Sequence, residues 1–405
     1  MPSAPSRTRL VLPLLLSSTL LAACADNAPS GPEIASRADA ASVSPSPSCD
    51  PAPVATRAAA VLVVGIPGVT TAQDPLGQSL VDMGVGGLFL SEPNVESAEQ
   101  VRALVEGLRA RAGRPLLVST DEESGRVAVT REIVGAGPSP RRMARQSTPE
   151  QVREYAFGIG ERLEEVGVDL DLAPLLDLDD GPYSGIIGDR SFSADPETAA
   201  TYGLAFSAGL ADAGVTPTVK HFPGQGRSTT DTHAEAAVVD ATVEELRETD
   251  LLPFQRAIDA GAPVVMLNHL GYSALDADLP ASLSPKAYAL LREMGFEGVA
   301  MTDSLGMGAV NLRWDFPEAA VRAIEAGADV ALATDGHQAV RMRDALVAAV
   351  ESGRLPEERL SEAAARVTAL AGGDPIAMSC LPMQMPELSV PTAVATATTA
   401  ATPTP

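Results

Sequence analysis

The segment Lys220-His221-Phe222-Pro223-Gly224-Gln225-Gly226 runs, after four further residues, into Asp231-Thr232-His233. A carboxylate near an imidazole can raise its pKa and fix its tautomer, which is what a general acid requires. Pro223 and the two glycines make the intervening stretch a loop able to move. On spacing alone, Asp-x-His is as readily a solvated loop. The lysine is less ordinary, because Lys220 and Lys286 are the only lysines in the chain. Asp121 and Asp303 likewise end apolar runs, and all four histidines, His221, His233, His269 and His337, lie at or just beyond such an end. A lone histidine is usually structural, but packing explains this clustering poorly.

These ends belong to eight short runs rich in β-branched residues or leucine: 60–66, 85–90, 116–121, 168–173, 216–220, 264–269, 298–303 and 329–334. Helical periodicity fills most gaps, over 150–166, 196–213, 242–260, 284–294, 317–326 and 338–352. Near-continuous apolar strands alternating with helices predict a parallel sheet covered by helices. Eight such units predict an α/β fold, a (β/α)8 barrel in a single domain, with an open doubly wound sheet as the alternative. In a barrel, chemistry sits where strands end and βα loops begin. The polar residues named above fall there.

The 405-residue chain is 45% hydrophobic, which fits a globular core. Its 29 Lys and Arg against 53 Asp and Glu give a net charge of −24, a sign that repels phosphates and anionic lipid alike. Nucleic acid is therefore not an expected partner. Arg7 and Arg9 precede an apolar run, 10–21, that Pro13 breaks and that is too short to span a bilayer, as in a secretory signal. The run ends in Leu21-Ala22-Ala23-Cys24, which resembles the lipobox of bacterial lipoproteins. That resemblance implies removal of residues 1–23, a diacylated Cys24, and anchoring by lipid alone to the outer face of the cell membrane. An ordinary Ala-x-Ala signal is the alternative. Residues 24–56 read as a Ser/Pro/Ala-rich linker, 57–372 as the folded body, and 373–405 as a disordered Pro/Thr/Ala-rich tail. Cys49 and Cys380 flank the body, and an oxidising compartment makes a disulfide between them the expectation, with two buried thiols as the alternative.

The Lys-His-Phe-Pro-Gly-x-Gly segment with its following Asp-x-His resembles the single-barrel β-N-acetylglucosaminidases of glycoside hydrolase family 3, a group active in peptidoglycan recycling. Further segments match in order. Thr120-Asp121-Glu122-Glu123-Ser124-Gly125-Arg126-Val127 is similar to the family's Asp-Gln-Glu-Gly-Gly-Arg-Val, and Ala173-Pro174-Leu175-Leu176-Asp177 to its Ala-Pro-Val-Leu-Asp. Ile187-Gly188-Asp189-Arg190-Ser191-Phe192 and Thr302-Asp303-Ser304-Leu305-Gly306-Met307 match two more. The resemblance implies Asp303 as a nucleophile forming a covalent glycosyl-enzyme, and His233, assisted by Asp231, as the acid/base. It implies that Asp121, Arg190, Lys220 and His221 hold the terminal sugar. It implies a carbohydrate substrate, a glycan or muropeptide containing N-acetylglucosamine, no metal or organic cofactor, and a monomer.

Two positions depart from the pattern. Gln225 stands where the family carries histidine, and Val129 where it carries a sugar-binding arginine, with Arg131 as the nearest candidate to compensate. His269 and His337 are read as structural, with orientation of its neighbours at the rim as the alternative for His269 and no assigned role for His337. The leading expectation is an exo-acting retaining β-N-acetylglucosaminidase. The alternatives are a family 3 β-glucosidase or β-xylosidase, which usually adds a second domain, an inactive sugar-binding lipoprotein, and phosphorolysis in place of hydrolysis.

Overall fold

The computed structural model describes residues 49–390. Eight parallel strands, each at one of the expected runs, are β1 (Leu62–Gly65), β2 (Gly87–Leu90), β3 (Leu117–Thr120), β4 (Leu170–Asp171), β5 (Thr216–Phe222), β6 (Val264–Leu267), β7 (Val299–Thr302) and β8 (Ala331–Ala333). Their order in the sheet is β8-β1-β2-β3-β4-β5-β6-β7. The two end strands meet through a parallel bridge between Met301 and Val330, where the Thr302 N–H donates to the Val330 carbonyl at 3.1 Å. The sheet is thus a (β/α)8 barrel rather than an open sheet.

Side chains alternate across a strand with a period of two, and here both faces are apolar because both are covered. Val63, Leu117, Val264, Met266, Val299, Met301 and Leu332 fill the barrel interior. Their neighbours Leu62, Val64, Val118, Val265, Leu267 and Ala300 pack under the helices. Helices follow at Pro149–Glu165, Pro196–Asp212, Pro285–Glu293, Phe316–Ala326 and Ala339–Glu351, within two residues of the expected bounds. Thr148 and Asp195 cap the first two, their side-chain oxygens accepting from Gln151 and Thr198 N–H, with proline at the first helical position. The helix expected over 242–260 is instead two, Val243–Glu248 and Leu251–Asp259. Pro253 lacks the amide that would bond back to the Thr249 carbonyl, so one continuous ladder cannot form.

The N-terminal ends of the strands are closed by both ends of the described chain. Helix Val54–Ala60 begins inside the stretch read as linker. Cys49 and Cys380 are bonded, with an S–S distance of 2.10 Å. Beyond residue 373 the expectation of disorder is corrected as far as residue 390. A short helix, Ile376–Ser379, precedes the disulfide, the Ala52 N–H donates to the Ala377 carbonyl at 2.8 Å, and the Ser389 N–H donates to the Ala260 carbonyl at 2.8 Å. Arg153 Nη1 reaches the Val390 carbonyl, and Met385 packs against the barrel interior. Such long-range contacts order a segment that has no periodicity of its own. Cys24 lies outside the described residues, and among those described no helix is long and apolar enough to cross a membrane.

Candidate active site

The period-two alternation continues past the strand ends and aims polar side chains inward. Asp303 follows Val299 and Met301 in the inward set of β7, and Asp121 and Glu123 follow Leu117 and Ser119 from β3. On β5 the outward neighbour is Val219, which leaves Lys220 inward. These side chains share one cavity of about 370 Å³ at the C-terminal ends of the strands, with Arg190, His221 and His233 also in its wall. Its floor is apolar, made by Phe89, Leu172, Met266 and Leu332.

Lys220 Nζ donates to Asp121 Oδ1 at 2.6 Å and lies 2.7 Å from Glu123 Oε1. Glu123 accepts two further bonds from Arg190, each 2.7 Å, in the fork geometry that suits a guanidinium. Burial opposes the charge on Glu123, but Arg190 and Lys220 outweigh it and bring the carboxyl down to about 2. Burial likewise opposes the charge on Lys220, which Asp121 and Glu123 nevertheless raise above the ordinary lysine range. The loop carrying Arg190 is held from the same turn, Arg126 Nη2 donating to the carbonyls of Gly185 and Ile187 at 2.6 and 2.8 Å.

His221 is fixed by Asp177, a buried carboxylate whose Oδ2 lies 2.6 Å from Nδ1. Oδ1 of the same residue accepts the Gln225 N–H at 2.7 Å and so also anchors the start of the mobile-type loop. The carboxylate keeps the ring proton on Nδ1 and turns Nε2 away from it. Asp303 Oδ1 accepts the Ser304 N–H at 2.7 Å. Burial would raise the Asp303 carboxyl, but the imidazoles of His269 and His221, the Ser304 N–H and Lys220 outweigh it and hold it below the usual carboxylate range. His269 is buried, and desolvation lowers its pKa. Its Nε2 donates to the Ser304 carbonyl at 2.8 Å, and its Nδ1 lies 2.6 Å from the Ser282 hydroxyl oxygen. It orients the residue after Asp303.

His233 is 74% exposed, with Nδ1 2.8 Å from Asp231 Oδ1. Hydrogen bonds from the His233 N–H and ring hold the Asp231 carboxyl below its ordinary value. The loop is docked by its backbone: the Gly308 N–H donates to the His233 carbonyl at 2.9 Å and the Ala309 N–H to the Thr232 carbonyl at 3.1 Å. Gln225 is buried, its Nε2 3.5 Å from Thr232 Oγ1.

Of the residues singled out from sequence, Asp121, Arg190, Lys220, His221, His233 and Asp303 line this cavity, and Asp231 reaches it through His233. Arg131 does not restore a cation there, since its Nη2 donates to the Gly125 carbonyl at 2.7 Å. His337 is bonded to Asp335 on the surface and is not among the cavity's lining residues. Glu123 and Asp177 were not singled out, although both stand in the quoted segments. The signal available for each was a carboxylate at the end of an apolar run, two and six residues beyond Asp121 and Asp171 respectively.

A closed parallel barrel whose mouth gathers a half-buried carboxylate, an Asp-His pair and a cation-carboxylate network is the arrangement of a barrel hydrolase acting on a polar substrate. Residues 60–370 match the Glycosyl hydrolase family 3 N terminal domain, and the chain belongs to that family. It is 35% identical over 333 residues to Beta-hexosaminidase LpqI of Mycobacterium tuberculosis, which covers 77% of this chain and 85% of that protein. A Beta-hexosaminidase of Stenotrophomonas maltophilia is 36% identical over 281 residues, 67% of this chain and 82% of the relative. The solved structure of M. tuberculosis LpqI superposes with a TM-score of 0.74 at 36% identity, covering 79% of this chain and 94% of that one. A glycoside hydrolase family 3 beta-N-acetylglucosaminidase from Paenibacillus sp. str. FPU-7 gives a TM-score of 0.76 at 34% identity, over 79% of this chain and 62% of the other.

Proposed function

We propose that this protein is an exo-acting retaining β-N-acetylglucosaminidase that removes terminal N-acetylglucosamine from peptidoglycan-derived fragments. The observation that carries the reading is the pairing of a half-buried Asp303, held ionised by its surroundings, with an Asp231–His233 loop docked on the residues that follow it. Asp303 attacks the anomeric carbon while His233 protonates the departing oxygen. The glycosyl-Asp303 ester is then hydrolysed by water that His233 deprotonates. Asp121, Arg190, Lys220 and His221 hold the hydroxyls of the terminal sugar. The names of the related β-hexosaminidases support the choice of sugar. With a net charge of −24, the chain draws no anionic wall polymer to itself, which favours soluble fragments or exposed chain ends. We place it at the outer membrane face as a monomer tethered through Cys24.

The test is hydrolysis of an aryl β-N-acetylglucosaminide by the full chain, with the anomer first released followed by NMR. A β-configured product that mutarotates afterwards is expected; an α-configured first product would sink the retaining mechanism. Under the same conditions His233→Ala slows an activated aryl substrate by about tenfold and an alkyl glycoside by about 10³-fold, since only the poor leaving group needs the proton. Equal losses on both substrates would remove the acid role.

The docked loop gives a second prediction. A Cβ at Gly308 would lie 2.7 Å from the His233 carbonyl oxygen and 2.6 Å from that of Ala234, both backbone atoms. Gly308→Ala therefore displaces the loop and lowers kcat by up to about 100-fold, the cost of a misplacement near 1 Å, with KM little changed. Steady-state kinetics on the aryl substrate read this directly, and unchanged kcat would mean that the docked loop is not the working one.

A further inference from the structure

Asp171 lies on the outward face of β4, and Glu122 lies two residues beyond the end of β3, in a short antiparallel hairpin that pairs Glu122–Ser124 with Val127–Ala128. Asp171 alternates with the interior residues Leu170 and Leu172, and Glu122 with Asp121 and Glu123 of the cavity wall, so both turn towards the helix layer. Asp171 is in register with Thr120, two residues before Glu122. Both carboxyls are buried, with exposures of 1% and 0%. Asp171 Oδ1 accepts the Glu122 N–H at 2.8 Å, and Glu122 Oε2 accepts from Thr130 N–H and Oγ1 at 3.0 and 2.7 Å. The remaining oxygen of each, Glu122 Oε1 and Asp171 Oδ2, is buried without a partner, and among the described residues no cation is bonded to either group.

A buried carboxylate with neither a cation nor a full set of donors is far costlier than a neutral acid. We propose that Glu122 is a positioning residue that works as a neutral carboxylic acid, with Asp171 neutral beside it, and that loss of the Glu122 proton opens the sugar-binding turn. The turn from Asp121 to Thr130 is tied at its start by Asp171 on the Glu122 amide and at its end by Glu122 on Thr130. Asp121 and Glu123 flank the first tie and hold Lys220 and Arg190 in the cavity. Burial raises Glu122 to about 7 against the opposing Thr130 hydroxyl and the Thr130 and Ser124 N–H groups, with Glu123 adding to the rise, and burial raises Asp171 well above the usual range. The other charged or titratable groups facing the pair are Asp121 on the same turn, Lys220 from β5 and Tyr155 from helix Pro149–Glu165.

A group whose pKa is higher in the folded than in the unfolded chain contributes stability that is present below the unfolded value and lost as pH rises through the folded one. For Glu122 that window runs from 4.5 to about 7. Glu122→Gln, which cannot ionise, is compared with the parent full chain by thermal unfolding from pH 5 to 9. The expected result is a difference in midpoint that grows in favour of Gln across pH 5 to 8 and is level beyond. In parallel, affinity for N-acetylglucosamine, whose binding needs no acid catalyst, falls in the parent by up to about tenfold per pH unit above 7 and stays flat in Glu122→Gln. That readout rests on the function proposed above, whereas unfolding does not. No binding by the parent at any pH would count against that function and leave unfolding to decide. A pH-independent difference between the two proteins overturns the proposal. If Glu122→Gln does not fold, Asp171→Asn takes its place, with the same widening expected and a constant difference overturning the proposal.

Discussion

Asp303→Asn keeps its fold and loses turnover by on the order of 10⁴-fold or more, equivalent to about 5.5 kcal/mol of transition-state stabilisation. The amide oxygen can still accept the Ser304 N–H that Asp303 Oδ1 accepts at 2.7 Å, so the local backbone has no reason to move. What disappears is the negative charge. The surroundings hold this carboxylate ionised against burial, and an amide neither attacks an anomeric carbon nor stabilises positive charge developing on it. The expected pattern is near-total loss of kcat, an unfolding midpoint within a degree or two of the parent, and KM within a few-fold. Activity within tenfold of the parent would mean that another group is the nucleophile.

Glu123→Gln is expected to destabilise the protein by about 3–5 kcal/mol, because it breaks a buried ion network by removing one partner. Glu123 takes two bonds from Arg190 and one contact from Lys220; without its charge Lys220 keeps Asp121, and Arg190 keeps only the more distant Asp177 and Asp121. Repulsion between them replaces attraction. The sign of the pH dependence follows from the lowered carboxyl: this stability is present above 4.5 and lost only as pH falls towards about 2. The deficit of the variant is therefore constant from pH 5 to 8. Lys220 and Arg190 also lose their aim, so KM rises by about tenfold or more. Denaturant titration and steady-state kinetics check the two halves separately, and a variant as stable as its parent would show the network to be energetically neutral.

Much of this site was legible in the sequence because its polar residues close the apolar runs and stand in segments that match one family in order, and the structure adds the reason, a two-residue alternation that carries from the strands into their ends. Val299, Met301 and Asp303 are one series, and an apolar run closed by a carboxylate at the same parity reads as a strand that delivers that carboxylate to the barrel mouth. The residues that escaped notice are those whose meaning depends on distant partners. Glu123 reads locally as the third of three consecutive acids, and nothing in that run announces Arg190 and Lys220. Asp177 closes an ordinary apolar stretch until β5 brings His221 and Gln225 to it. Glu122 and Asp171 escaped for a related reason, since parity turns them away from the mouth and only the fold shows that they meet. The tail to residue 390 was misread because composition speaks of intrinsic order, whereas its path is set by partners such as Ala260 and Arg153.

The Cys49–Cys380 bond has a mechanical consequence. It joins the start of the described chain to the segment that follows the last helices of the barrel, across 331 residues of sequence, at the end opposite the mouth. A pull applied through the residues before Cys49 is shared, across the disulfide, with the segment that packs beneath the strands, so that β1 and its neighbours do not bear it alone. The load path thus bypasses the βα loops, and the geometry of the mouth is insulated from tension applied at Cys49. Reduction of the bond would redirect the same force into helix Val54–Ala60 and the first strand.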